Sequence, residues 1–224
     1  MSIANYLTLL RLVITPIFLI IYTEAETFGI GPIALPYVLL ALLTLSELSD
    51  ACDGYIARKY NQVTDLGKIL DPMADSIARI TIFLTFTQPP VNLPITLVFI
   101  FLYRDSVVST LRTICALKGF ALAARTSGKI KAVMQAAAAF IILFLMILHA
   151  EGQLPIATLQ RISAWIVAIA GVYTFFSGVD YIYANRRYIA KLLVLPKPGD
   201  IAAKSRAYFT HLKISLKGDG DAAS

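Results

Sequence analysis

Charge is scarce in this chain of 224 residues: Asp, Glu, Lys and Arg together make up 15% of it, while 58% is hydrophobic. An ordinary soluble domain carries about 25% charged residues. With a mean hydropathy of +0.72, the chain is too apolar for that class and reads as an integral membrane protein. Cysteine is nearly missing as well. The two present, Cys52 and Cys115, lack metal-ligand spacing and fall near expected cytoplasmic helix ends, which excludes a disulfide scaffold and a zinc site and leaves plain packing roles. No internal repeat and no second folded domain is visible. The first apolar run lacks a basic leader and a small-residue cleavage site, so it is expected to be retained as a span.

Lys and Arg are also missing from alternate connections. Apolar runs lie at about 7–22, 33–48, 69–86, 93–108, 132–148 and 159–183, and with flanking residues each reaches the ~20 needed to cross a bilayer. The fold class expected is therefore an all-α integral membrane protein with six transmembrane helices. The first connection holds Glu24 and Glu26, the third holds no charge, and the fifth holds only His149 and Glu151. The opposite side receives Arg58, Lys59, Lys68, Arg112, Lys118, Arg125, Lys129, Lys131, Arg186, Arg187 and Lys191. By the positive-inside rule both termini face the cytoplasm. The net charge of +6 then reflects topology and makes no case for nucleic acid. Residues 1–195 are expected to form the transmembrane catalytic domain, and 196–224 a cytoplasmic tail with a basic amphipathic stretch at 201–217 before a disordered Gly/Asp-rich end.

The densest chemistry lies from Asp50 to Asp75. Asp50 with Asp53, and Asp71 with Asp75, stand three and four residues apart, so each pair projects from one helical face. Both pairs lie where apolar runs meet a charged loop, at the cytoplasmic ends of helices 2 and 3. Four acids there repel and lose hydration unless cations neutralise them, which points to a divalent metal site; all-oxygen donors suit Mg²⁺ or Mn²⁺. Pro72 is expected to bend helix 3 beside it. Other readings of the motif are a proton relay, a structural ion pair, or the ion path of a secondary transporter; the lack of a repeat and the placement at one rim count against the last.

Asp50, Asp53, Gly54, Ala57, Arg58, Gly67, Asp71 and Asp75 fit D-x2-D-G-x2-A-R-x8-G-x3-D-x3-D at every position. This stretch resembles the signature of the CDP-alcohol phosphotransferases. The resemblance implies two metal ions held by Asp50, Asp53, Asp71 and Asp75, with Asp75 also the base that takes a proton from the acceptor hydroxyl. It implies that Arg58 grips a diphosphate and that Gly54, Ala57 and Gly67 leave room for the nucleotide of a CDP-lipid. Asn5, Thr8 and Arg11, at three-residue steps, read on physics alone either as a cap with a snorkelling arginine or as a polar edge for a nucleotide. N-Y-L-T-L-L-R is similar to the opening of bacterial phosphatidylglycerophosphate synthases, which assigns Asn5 and Thr8 to the CDP-lipid, although Ala4 stands where those proteins commonly have proline.

Farther on, Asp105, Ser109 and Arg112 share a helical face. Arg104, Ser109, Arg112, Gly128, Lys129 and Lys131 resemble the R-E-x-x-x-S-x-x-R and G-K-x-K-T segments of the same synthases; Asp105, Thr113 and Ala132 depart from them. On physics alone these cations either anchor helix ends at headgroups or bind an acceptor. The resemblance implies that Arg112, Lys129, Lys131 and Arg186 bind an acceptor's phosphate, with CDP-diacylglycerol as donor and glycerol 3-phosphate as acceptor, inositol phosphate being the alternative. It also implies a homodimer among membrane lipids in a bacterial inner membrane, with the site facing the cytoplasm.

Overall fold

A chain passing through lipid must satisfy its backbone polar groups within each segment, and helices do so without partners. The computed structural model describes the backbone at residues 3–59, 65–117 and 126–193, and side chains at 6–52, 73–115, 126–187, 189 and 190. Among these residues every regular element is helical: α1 (Ile3–Thr23), a short 3-10 turn (Ala25–Phe28), α2 (Ala34–Lys59), α3 (Asp65–Thr85), α4 (Ile95–Leu117), α5 (Thr126–Ala150) and α6 (Ile156–Leu193). Residues 1–185 form one compact unit; the second, 186–224, contains the end of α6 and the tail, of which 194–224 lie outside the described residues.

Six long helices stand where six apolar runs lead one to expect them, but several outrun the apolar sequence. α2 continues through the aspartate motif to Lys59, and α4 continues to Leu117. Apolarity ends with the hydrocarbon layer, whereas helical hydrogen bonding continues as long as no residue breaks it. Four helices are both long and apolar enough to cross a membrane: α1 over Tyr6–Thr23, α2 over Ala34–Cys52, α5 over Thr126–Ala150 and α6 over Ile156–Arg187. Charged residues interrupt α3 (Asp71, Asp75, Arg79) and α4 (Arg104, Asp105, Arg112). At ~1.5 Å per residue α3 still covers ~31 Å.

α1 packs on α2 and α3, α2 on α5, and α3 on α4 and α5. Their shared core centres on Phe83 and Phe86. The Phe83 ring meets Phe101 of α4 edge-on at 4.8 Å, and Phe86 meets Phe18 and Tyr22 of α1 at 6.2 and 6.1 Å. Leu39, Leu43, Ile142, Leu143 and Leu159 complete it, all 1% exposed or less. Connections at the far end close over this core: Tyr22 donates its hydroxyl to the Gln88 carbonyl at 3.0 Å, and Gln160 donates to the Pro90 carbonyl at 3.0 Å. Gly29 ends the 3-10 turn at φ +67°, a left-handed conformation in which a side chain is strained.

The outer surface is the reverse of a soluble protein's. Trp165, Ile169, Val172, Phe175 and Phe176 are more than half exposed on α6, while Thr8, Arg11, Asp105, Lys131, Gln135 and Ser177 are buried. An apolar exterior around a polar interior belongs in lipid, where exposed methyl groups cost nothing and polar groups turn inward to find one another. Phe86→Ala is accordingly expected to destabilise the protein by about 3–5 kcal/mol, against about 0.5 kcal/mol or less for Phe176→Ala. Unfolding midpoints in detergent check this; equal losses would place Phe176 in packing rather than in lipid.

Candidate functional site

Helices α1, α2 and α3 meet on a single guanidinium. Arg11 projects from the same face of α1 as Thr8, and its side chain is 3% exposed. Its Nη2 lies 2.6 Å from Asp50 Oδ1 on α2, and its Nη1 donates to Asp75 Oδ1 on α3. The Arg11 carbonyl accepts a hydrogen bond from Thr15 Oγ1 at 2.8 Å. Burial at this depth rules out the snorkelling reading, since a snorkelling arginine keeps its head in water. Buried positive charge needs negative partners, and two helices supply one each. Thr8, expected at a nucleotide's edge, is fully buried on this face.

Both carboxylates remain partly open, Asp50 at 35% and Asp75 at 38% side-chain exposure, so the pair is reachable from outside. Of the four aspartates expected to hold metal, the side chains of Asp53 and Asp71 lie outside the described residues, as do those of Asn5, Gly54, Ala57, Arg58 and Gly67. Among the described residues no group of three or more His, Cys, Asp or Glu stands ready for a metal ion. What is described is half of the expected cluster: hard oxygen donors from two helices drawn to one centre of positive charge. That donor chemistry fits Mg²⁺ or Mn²⁺.

Asp75 also opens onto a cavity between α3, α4 and α5, which Arg79, Asp105, Ser109, Arg112 and Lys131 help to line. Its floor is ionic. Asp105, 4% exposed, accepts Lys131 Nζ on both oxygens at 2.7 and 2.8 Å and Arg104 Nη1 at 3.1 Å. Arg104 continues to Ser177 Oγ of α6 at 3.0 Å. Its stem lies on Gly178, where an added Cβ would stand 2.9 Å from Arg104 Cγ; glycine here admits the arginine. Arg112 donates Nε to the Tyr181 hydroxyl at 3.3 Å with its guanidinium 5.2 Å from the ring centre. Hydrogen bond and cation–π contact hold it in one orientation.

Asp105, Ser109 and Arg112 thus share one cavity, as their spacing along α4 requires, and Lys131 joins them from α5. Lys129 is exposed and is not among the residues lining the cavity. Arg186 belongs to the second compact unit. Asp180 accepts Ser127 Oγ at 2.7 Å, tying α6 to the start of α5. Two lining residues went unread in the sequence, Ser76 and Arg79. The signal for Arg79 was available: it follows Asp75 by four residues, and an arginine one turn from an acid on the same face enters the same cavity.

Buried cations and carboxylates gathered inside an apolar helical bundle define a membrane protein whose interior is charged, and charge in such a place is by default functional. The sequence pattern of CDP-alcohol phosphatidyltransferases matches residues 1–176, and the chain belongs to that family. It is 32% identical over 189 residues to the CDP-diacylglycerol--glycerol-3-phosphate 3-phosphatidyltransferase of Rickettsia bellii, covering 84% of this chain and 97% of the relative. It is 32% identical over 193 residues to the Bacillus subtilis protein of the same name, covering 82% and 95%. A CMP-forming cardiolipin synthase of Streptomyces coelicolor is 30% identical over 191 residues, covering 84% and 85%.

Removing Asp105 strands two buried cations. Asp105→Ala is expected to cost about 3 kcal/mol or more, and Lys131→Met in that background to restore part of the loss. Denaturant or thermal midpoints of the two variants in micelles check it, and a second change that deepens the loss instead of repairing it contradicts the pairing.

Proposed function

We propose that this protein transfers the phosphatidyl group of CDP-diacylglycerol to the hydroxyl of sn-glycerol 3-phosphate, giving phosphatidylglycerophosphate and CMP. The observation that carries the reading is the position of Asp75. It stands at once in the carboxylate cluster on Arg11 and at the mouth of the cation-lined cavity, so one oxygen-bearing group serves both halves of a transfer. The names of the similar proteins in Rickettsia bellii and Bacillus subtilis support the same donor and acceptor.

Asp75 takes the proton of the acceptor hydroxyl as that oxygen forms its bond to the lipid-side phosphorus. The bond from that phosphorus to the bridging oxygen breaks, and CMP departs with the electron pair. Arg11 holds Asp75 in place before the hydroxyl arrives. Asp50, Asp53, Asp71 and Asp75 are the residues that would hold two Mg²⁺ or Mn²⁺ ions, which when bound supply charge stabilisation to the diphosphate as it divides. Asn5, Thr8, Gly54, Ala57, Arg58 and Gly67 are assigned to the CDP-lipid. Arg112 faces the acceptor side, with Lys129, Lys131 and Arg186 as further candidates. A phosphorylated acceptor suits a cation-rich cavity, whereas a neutral alcohol does not call for one.

The reading extends to topology. Six spans, both termini and the aspartate cluster on the cytoplasmic side of a bacterial inner membrane, and a homodimer suit a donor that keeps its acyl chains in lipid and its nucleotide in water. Residues 1–195 would carry the chemistry and the tail beyond them would be dispensable for it.

Purified protein in detergent, given CDP-diacylglycerol, Mg²⁺ or Mn²⁺ and one acceptor at a time, is expected to form phosphatidylglycerophosphate. Asp75→Asn is expected to lower the rate by about 10²–10⁴-fold, and a chelator to stop turnover until metal is returned. Product from phosphatidylglycerol or inositol 1-phosphate, but none from glycerol 3-phosphate, overturns the acceptor. CMP release at the normal rate in Asp75→Asn overturns the base.

A further inference from the structure

We infer that Arg79 is a ligand of the acceptor's phosphate and sets the enzyme's preference for a phosphorylated acceptor. The inference rests on the proposed transfer reaction and adds a residue to its acceptor side. Charge is the starting point. Arg79, Arg104, Arg112 and Lys131 line the cavity against the carboxylates Asp75 and Asp105, an excess of two positive charges. A phosphate monoester carries about −1.5 to −2 at neutral pH, so the cavity is matched to one such group.

Not all of these cations are available to it. Asp105 takes up two of them, holding Lys131 with both oxygens and Arg104 with one. Arg104 spends a further donor on Ser177. Among the described residues Arg112 donates Nε alone, to Tyr181. Arg79 donates Nη1 to the backbone carbonyl of Ala132 at 2.6 Å and forms no ion pair with any described residue. A guanidinium offers five N–H donors in a rigid fork suited to two phosphate oxygens. Anchored through one corner to α5, Arg79 has its remaining donors unclaimed by any described residue and open to a ligand.

Its position on α3 adds a geometric reason. Arg79 follows Asp75 by one helical turn on the same face, and both line the cavity. A phosphate on Arg79 and a hydroxyl on Asp75 would thus be held about one turn apart, ~5.4 Å along the helix, a separation that a three-carbon phosphorylated alcohol spans. Arg112 faces the same space from α4, and Asp105 acts beneath them as a positioning residue by keeping Lys131 and Arg104 in place.

The test uses the full chain in detergent micelles with CDP-diacylglycerol and Mg²⁺ or Mn²⁺, comparing wild type, Arg79→Gln and Arg79→Lys. KM for glycerol 3-phosphate and the inhibition constant of inorganic phosphate, competing with that acceptor, are expected to rise together by about 10- to 100-fold in Arg79→Gln. KM for CDP-diacylglycerol stays within about threefold in the same variant, because uniform loss on both substrates would mark general damage. Arg79→Lys recovers part of the acceptor affinity, since it restores the charge without the fork. A fall in kcat with acceptor KM and phosphate inhibition unchanged overturns the inference and makes Arg79 a structural tie to α5. Should the wild type use a different phosphorylated acceptor, the proposed acceptor fails while Arg79 is still judged on that acceptor's KM. Should the wild type accept only a neutral alcohol and ignore inorganic phosphate, both fail together.

Discussion

A guanidinium buried to 3% exposure in the interior of an apolar bundle is stable only if negative charge comes to it, and this requirement organises the meeting point of α1, α2 and α3. Arg11 pulls Asp50 from α2 and Asp75 from α3 onto one point of α1. Carboxylates from different helices would otherwise repel each other in a medium that screens poorly. The arginine therefore acts as an internal cation that assembles the cluster, and partial exposure of both acids leaves them open to a second source of positive charge. Helices bound in this way present Asp50 and Asp75 together, with the side chains already gathered.

The second ionic centre, on Asp105, solves a different problem. Arginines and a lysine crowded into one cavity without relief would repel one another. Asp105 neutralises part of the set and holds Lys131 and Arg104 at fixed distances, while Tyr181 orients Arg112. Arg79, by contrast, is tied to the Ala132 carbonyl. Gly178 belongs to the same arrangement, because only a residue without Cβ lets the Arg104 stem lie against α6.

Much of this was legible in the sequence. Apolar runs placed the helices, because twenty residues without charge have few other fates, and the spacing of Asp105, Ser109 and Arg112 placed them on one face. The aspartate motif identified the family on eight residues. Less legible were the partners. Arg11 read equally well as a snorkelling residue or a nucleotide contact, because nothing in α1 reveals which helices stand beside it. Lys131 read either as a headgroup anchor or as an acceptor ligand, and its bond to Asp105, twenty-six residues away, has no signal in the sequence. Arg79 belongs to no recognised motif, and only its four-residue spacing from Asp75 marks it as sharing that face.

Periodicity, composition and motif determined by themselves that the chain is helical, belongs in lipid and bears an acidic cluster of this family's kind, since these follow from local spacing and from the cost of placing charge in hydrocarbon. Only the tertiary structure decided which cation meets which carboxylate. An ion pair forms between side chains that packing brings within a few ångströms, and the packing of α1 against α2 and α3, and of α3 against α4 and α5, is a property of the whole bundle rather than of any stretch of sequence.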